Sequence, residues 1–119
     1  MVGTTLPAGD LNRARAFYRD VLGLEPDEVS ETGSLRYSAG DTGFMLFASA
    51  GEPSGTHTQM AFQVDDIEAA AAELRANGVV FEDVEGLEQV DGIAGLGGTR
   101  GGWFKDSEGN MLAVVQMPE

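Results

Sequence analysis

The strongest constraint on the fold is an internal repeat of two helix patterns with matching boundaries. "DLNRARAFYRDVLGLE" begins at Asp10, and "DIEAAAAELRANGVVFE" begins at Asp66. In each pattern apolar residues recur at the spacing of one helical face, which predicts an amphipathic helix. Asp10 and either Asp65 or Asp66 are suitable N-caps, and Gly23 and Gly78 suit left-handed stops. The repeat predicts two copies of one supersecondary unit.

Strand-like segments surround each helix. "GTTLPA" precedes the first helix and "QMAFQV" precedes the second. Further strands are expected at 35–38, 44–48, 79–82, 101–105 and 111–116. We align "GFMLF" (43–47) with "GNMLA" (109–113), because each follows an acidic turn that contains glycine. These patterns predict an α+β fold of two βαβββ modules that form an open, cup-shaped mixed sheet.

The length of 119 residues corresponds to a single domain. We place module 1 at about 1–52, a linker at about 53–56, and module 2 at about 57–119. The glycine-rich segment 86–99 is expected to be a long loop with no more than a short strand.

Charge limits the partners. The formal net charge is −13, from 20 acidic and 7 basic residues. Such a surface repels nucleic acid and anionic membranes. The negative charge either keeps the protein soluble or favours the binding of cationic ligands, and the composition leaves both interpretations open. There is no cysteine, no apolar run of about 20 residues and no visible signal peptide, so a cytoplasmic location is expected.

Strand alternation divides the side chains of module 2 between two faces. Met60, Phe62, Leu112 and Val114 are expected to pack against the helix. The residues expected on the opposite, concave face are Gln59, Ala61, Gln63, Met111, Ala113 and Val115.

The motifs "DLxxxxxFYxxVLG" and "VDDIExAxxxL…G…DxxGNxL", in this order, resemble the vicinal oxygen chelate superfamily over nearly the whole chain. That superfamily contains glyoxalase I, extradiol dioxygenases, fosfomycin resistance enzymes and bleomycin resistance proteins. The resemblance implies paired βαβββ modules around a cup. In the enzymes it also implies a divalent metal, held by residues from the first and last strands of each module.

When the family's metal-ligand positions are carried over to this sequence, the resemblance places the four of them at Gly3, Phe47, Gln59 and Ala113. Only the amide of Gln59 offers a donor atom, whereas catalytic sites usually need about three protein ligands. We therefore expect no metal and no cofactor, with Gln59 as a polar residue of a pocket. His57 is interpreted as a loop or strand-edge residue, because the sequence alone indicates no carboxylate that would tune it as a general base.

Trp103 is either a core residue or a platform on which a ligand stacks. Gly101 and Gly102 precede it and give close access, and an aromatic face binds planar or cationic groups. The predicted ligand-binding residues are Gln59, Trp103, Phe47, Phe44, Met111, Ala113 and Thr5, and no catalytic residue is assigned.

The resulting hypothesis is a metal-independent small-molecule-binding protein of the bleomycin-resistance type. It would sequester a cationic or aromatic ligand at the crevice of a homodimer, and the dimer follows from the resemblance alone. A glyoxalase-like lyase or dioxygenase with an atypical metal site is the alternative. A metal-free isomerase or cyclase, or a regulatory module that acts on a protein partner, also stays open.

Overall fold

The computed structural model describes residues 3–49 and 51–118, except for the side chain of Leu96. The chain divides into two compact units. The first extends to Gly55 and includes the turn Asp106–Asn110, and the second contains Thr56–Lys105 and the residues from Met111 onward. The predicted module boundaries place that turn in module 2 instead. Neither helix of the described residues has the length and apolar character that a membrane crossing requires.

The first unit has a β-α-β-β-β order. Its elements are β1 (Thr4–Ala8), α1 (Leu11–Asp20), β2 (Glu28–Val29), β3 (Leu35–Ala39) and β4 (Thr42–Ala48). The sheet has the order β1-β4-β3-β2, in which β1 is parallel to β4 and the other pairs are antiparallel.

The second unit has one strand more. Its elements are β5 (Thr58–Gln63), α2 (Ile67–Ala76), β6 (Gln89–Val90), β7 (Ile93–Leu96), β8 (Thr99–Lys105) and β9 (Met111–Gln116). The sheet has the order β5-β9-β8-β7-β6, with β5 parallel to β9. Two mixed sheets and two helices in the described residues confirm the α+β class.

The predicted helix ends are confirmed. The Asp10 carboxylate accepts from Arg13 N–H at 3.1 Å, and the Asp66 carboxylate accepts from Ala69 N–H at 3.1 Å. Gly23 and Gly78 have positive φ angles of 70° and 98°. At Gly78 this conformation lets two N–H groups return to carbonyls of the last helical turn, as in a Schellman motif.

The predicted strand at 79–82 is wrong: the segment is irregular, and the half-buried ring of Phe81 packs over two glycines. A Cβ on Gly102 would lie 3.1 Å from the Phe81 ring, and a Cβ on Gly92 would lie 2.6 Å from Phe81 Cβ. These glycines therefore leave the space that the phenyl ring fills. Segment 86–99, which we expected to be mainly loop, contains both strands of the β6–β7 hairpin.

Aromatic rings form the core of the first unit on the side of its sheet that faces α1. Phe44 is 6% exposed, stacks on Tyr37 at a centroid distance of 4.9 Å and lies 5.7 Å from Tyr18 of α1. Phe47 is three residues away on the same strand and therefore faces the opposite side. Placing Phe44 with Phe47 in a ligand pocket is thus a misassignment of its face.

Candidate functional site

The candidate site lies on the far face of the second sheet, which we define as the face directed away from α2. Gln116 Oε1 accepts from Ile67 N–H at the start of α2 at 2.9 Å, so the even-numbered side chains of β9 face that helix. Ala113 therefore lies on the far face. Its partners in the ladder are Trp103 on β8 and Ala61 on β5.

The Trp103 indole spans the middle of this far face. Its Nε1–H donates to Thr58 Oγ1 at 2.9 Å. Because β9 lies between β8 and β5, the ring must cross β9 to make this bond. Its Cη2 lies 3.8 Å from the place where a Cβ of Gly101 would stand. The half-buried indole is thus held across the strand that carries Ala113.

Gln59 has a structural role. The β5–β9 register shifts between Thr58 and Met60, so Gln59 occupies a bulge. Its Oε1 accepts from Met111 N–H at 3.3 Å. The amide of Gln59, the single candidate metal donor, thus replaces a backbone hydrogen-bond acceptor where the bulge interrupts the β5–β9 ladder.

The strand register corrects one metal-ligand seat. Thr5 pairs with Met45 in the first unit, as Ala61 pairs with Ala113 in the second. Met45 therefore corresponds to Ala113, and the alignment that selected Phe47 is displaced by two residues. Phe47 pairs instead with Pro7.

The donor set at these seats does not fit a divalent ion. Gly3 and Ala113 have no donor side chain, the thioether of Met45 suits soft metals only, and Gln59 is engaged by the backbone. Across residues 3–49 and 51–118, no three His, Cys, Asp or Glu side chains form a group that could hold a metal. We therefore assign no chemical step to a metal.

The turn Asp106–Asn110 carries a buried polar cluster in the first unit. Asp106 is 6% exposed and accepts from Tyr18 Oη at 2.8 Å and from Asn110 Nδ2 at 2.9 Å. Its other oxygen accepts from the backbone N–H groups of Glu108 and Asn110 at 2.8 and 2.9 Å. Burial first, and then the Asp106 carboxylate, raise the pKa of Tyr18. This hydroxyl therefore stays a donor at ordinary pH.

Glu108 lies beside a cleft of about 380 Å³ in the first unit, whose walls include Pro7, Arg13 and Pro53. Arg13 Nε and Nη2 donate to the two Glu108 oxygens at 2.8 and 3.0 Å. This pair is the first cause that lowers the pKa of Glu108 to about 2. With its guanidinium clamped on Glu108, Arg13 serves mainly to hold the turn.

The structure groups the predicted ligand-binding residues by unit. Trp103, Ala113 and Met111 share the far face of the second sheet, beside the bulge at Gln59. Thr5 and Phe47 lie on the face of the first sheet directed away from α1. Thr58 is a functional residue that the sequence pattern did not identify. It is the first residue of β5, and the signal for it was one more β-branched residue before "QMAFQV".

Comparisons with known proteins agree with this architecture. A sequence model of the Glyoxalase/Bleomycin resistance protein/Dioxygenase superfamily matches residues 2–114. The crystal structure of UcmS2 is 21% identical with a TM-score of 0.74, covering 95% of this chain and 94% of that one. A glyoxalase/bleomycin resistance protein/dioxygenase from Nocardioides is 21% identical with a TM-score of 0.73, covering 100% and 85%.

A third similar structure contains ligands. A mutant of the fosfomycin resistance protein FosX from Listeria monocytogenes was solved with Mn(II) and 1S,2S-dihydroxypropylphosphonic acid. It is 17% identical with a TM-score of 0.67, covering 96% of this chain and 86% of that one. No curated protein sequence matches the chain. At these identities the structures show a shared fold.

Proposed function

The chain belongs to the glyoxalase/bleomycin resistance protein/dioxygenase superfamily. Because the donor set at its metal-ligand positions does not fit a divalent ion, we propose that it binds a small molecule without metal-dependent chemistry. The ligand is cationic or aromatic, and a cytoplasmic homodimer sequesters it at the crevice between its subunits. The proposal includes no cofactor, no nucleic acid and no membrane partner.

The observation that carries this proposal is the position of Trp103. Its indole crosses β9 beside Ala113, which the superfamily resemblance identifies as a metal-ligand seat. An aromatic ring there supports stacking of planar groups and attraction of cations, worth about 0.5–2 kcal/mol for the cation–π part. Such a surface retains a ligand and activates no bond in it.

The charge of the chain supports a cationic ligand. A net charge of −13 raises the local concentration of cations and speeds their encounter with the protein. Ionic strength screens this attraction, with a Debye length of about 10 Å at 0.1 M salt. We therefore expect the association rate for a cationic ligand to fall as salt is added.

Fluorescence titration tests the proposal directly, since Trp103 is the only tryptophan in the chain. Cationic glycopeptide antibiotics of the bleomycin class are the first probes. We expect saturable quenching at micromolar concentration, and calorimetry should show binding at least about tenfold weaker for Trp103→Leu. If none of these compounds quenches the emission at micromolar concentration, the sequestration proposal is rejected.

A second candidate is a glyoxalase-like lyase or dioxygenase with an atypical metal site. The likeness in fold to FosX, which was solved with Mn(II), favours including it. Elemental analysis of untagged protein after extensive dialysis distinguishes the two candidates. Retention of Ni, Zn, Mn or Fe at one ion per chain would support this enzyme and reject the metal-independent proposal.

A further inference from the structure

Thr58 holds Trp103 from two strands away. Neighbouring strands lie about 4.8 Å apart, so β8 and β5 are separated by roughly 9–10 Å. The indole, its hydrogen bond and the Thr58 side chain together bridge this distance. The bond joins indole Nε1–H to the hydroxyl oxygen at 2.9 Å. An indole has a single N–H donor, so this contact fixes the direction in which the ring points.

Small residues leave the space that this ring position needs. Ala113 is directly opposite Trp103 in the antiparallel ladder, where Cβ atoms are about 5 Å apart. Gly101 shares the far face, and the Cη2 atom of the ring lies 3.8 Å from the place of its absent Cβ. A longer side chain at position 113 would occupy the path of the indole. The indole can therefore lie across β9 only because residue 113 is too small to carry a metal-binding side chain.

We infer that Thr58 is a positioning residue of the proposed binding site, and that the ligand contacts the indole through a planar aromatic or cationic group. This inference rests on the proposed function. Without the hydroxyl the indole would regain rotamer freedom, which the ligand would have to remove on binding. A ring fixed in advance binds more tightly because that cost is already met.

Replacing Thr58 by valine tests the inference, because valine keeps the shape and the strand preference but removes the acceptor. We expect calorimetric affinity for the bleomycin-class probe to fall about fivefold, the equivalent of one hydrogen bond. The indole N–H resonance in a ¹⁵N spectrum should also shift before any ligand is added. Thr58→Ser, which keeps the hydroxyl, should restore both readouts, and Thr4→Val, at an exposed strand threonine of the first unit, should leave both unchanged.

A second variant approaches the same contact from the other side. Ala113→Val leaves Thr58 intact but narrows the space under the indole, so the indole N–H resonance should shift as in Thr58→Val. Because both variants act on one contact, their effects on affinity in the double variant should be less than additive.

The outcomes separate the two proposals. If the unaltered protein binds the probe and Thr58→Val binds it equally well, the positioning role is overturned while sequestration stands. If the unaltered protein binds none of the probes, sequestration fails and the ligand assignment fails with it. An unchanged indole resonance in Thr58→Val would overturn the tether itself, whatever the binding result.

Discussion

The two units provide the same kind of contact at the start of their helices with different chemistry. The Asp10 N–H donates to Glu108 Oε1 at 2.8 Å, whereas the Ile67 N–H donates to Gln116 Oε1 at 2.9 Å. Glu108 is an ionised carboxylate clamped by Arg13, and Gln116 is a neutral amide. Each helix start thus receives an acceptor from a distant side chain, at the N-cap residue Asp10 in the first unit and at the first helical residue Ile67 in the second. Of these two distant acceptors, only Glu108 is ionisable.

The cores differ in a related way. The first unit buries Asp106, which accepts from Tyr18. The second unit fills the space over Gly92 and Gly102 with the ring of Phe81. A buried polar cluster stabilises the first unit, and the apolar packing of Phe81 over two glycines stabilises the second.

The largest expected effect is on the second unit. Phe81→Ala should lower the free energy of unfolding by about 3–4 kcal/mol, towards the lower end of the usual cost of removing a packed phenyl ring, because the ring is only partly buried. Urea unfolding followed by circular dichroism measures the change. Val80→Ala is the neighbouring control, because Val80 is 79% exposed and should matter by less than about 0.5 kcal/mol. Equal effects of the two variants would contradict the packing described for Phe81.

Breaking the polar cluster of the first unit should cost somewhat less. Asp106→Ala removes the acceptor of four hydrogen bonds and leaves the Tyr18 hydroxyl and the Asn110 amide buried without it. We expect a loss of about 3 kcal/mol in urea unfolding. The exposed residue Asp83 provides the matched control, Asp83→Ala. A loss below about 1 kcal/mol would mean that the cluster does not lock the unit.

Glu108→Gln should reveal the pH dependence of the first helix start. The pKa of Glu108 is lowered from 4.5 to about 2 in the folded protein, first by the Arg13 hydrogen bonds. The ionised carboxylate therefore stabilises the fold fully above about pH 4.5, and this contribution is lost as the pH falls towards 2. The unaltered protein should exceed the variant by about 1–2 kcal/mol at pH 6 and by almost nothing at pH 2. A difference independent of pH would refute this account.

The smallest effect is expected at the neutral acceptor beside the second helix, Gln116. Gln116→Leu removes the acceptor of the Ile67 N–H and should cost about 0.5–1 kcal/mol in urea unfolding. Because no charge is involved, the cost should be the same at pH 6 and pH 3. A cost that changed with pH as it does for Glu108 would remove the distinction between the two helix starts.

Local sequence signals predicted most of the secondary structure. Asp10 and Asp66 cap their helices, and Gly78 ends the second one, because capping depends on residues within one turn. The run 111–116 is a short, mostly apolar segment after a turn, and it forms β9 over the same residues. These features need no knowledge of distant parts of the chain.

Contacts between distant residues limited the rest. The bulge at Gln59 and the bond between Trp103 and Thr58 depend on which strands become neighbours. The residues at 79–82 have strand propensity, but local propensity does not show that the Phe81 ring packs over Gly92 and Gly102. Each of these features depends on tertiary packing more than on local propensity.

The turn Asp106–Asn110 has a consequence for biosynthesis. Its Asn110 amide donates to the carbonyl of Pro7, 103 positions earlier, and Glu108 serves a helix that begins at Leu11. A nascent chain on the ribosome therefore displays α1 long before the residues that complete it have been translated. The first unit to emerge is therefore completed only when most of the second has been translated, and it must stay soluble until then.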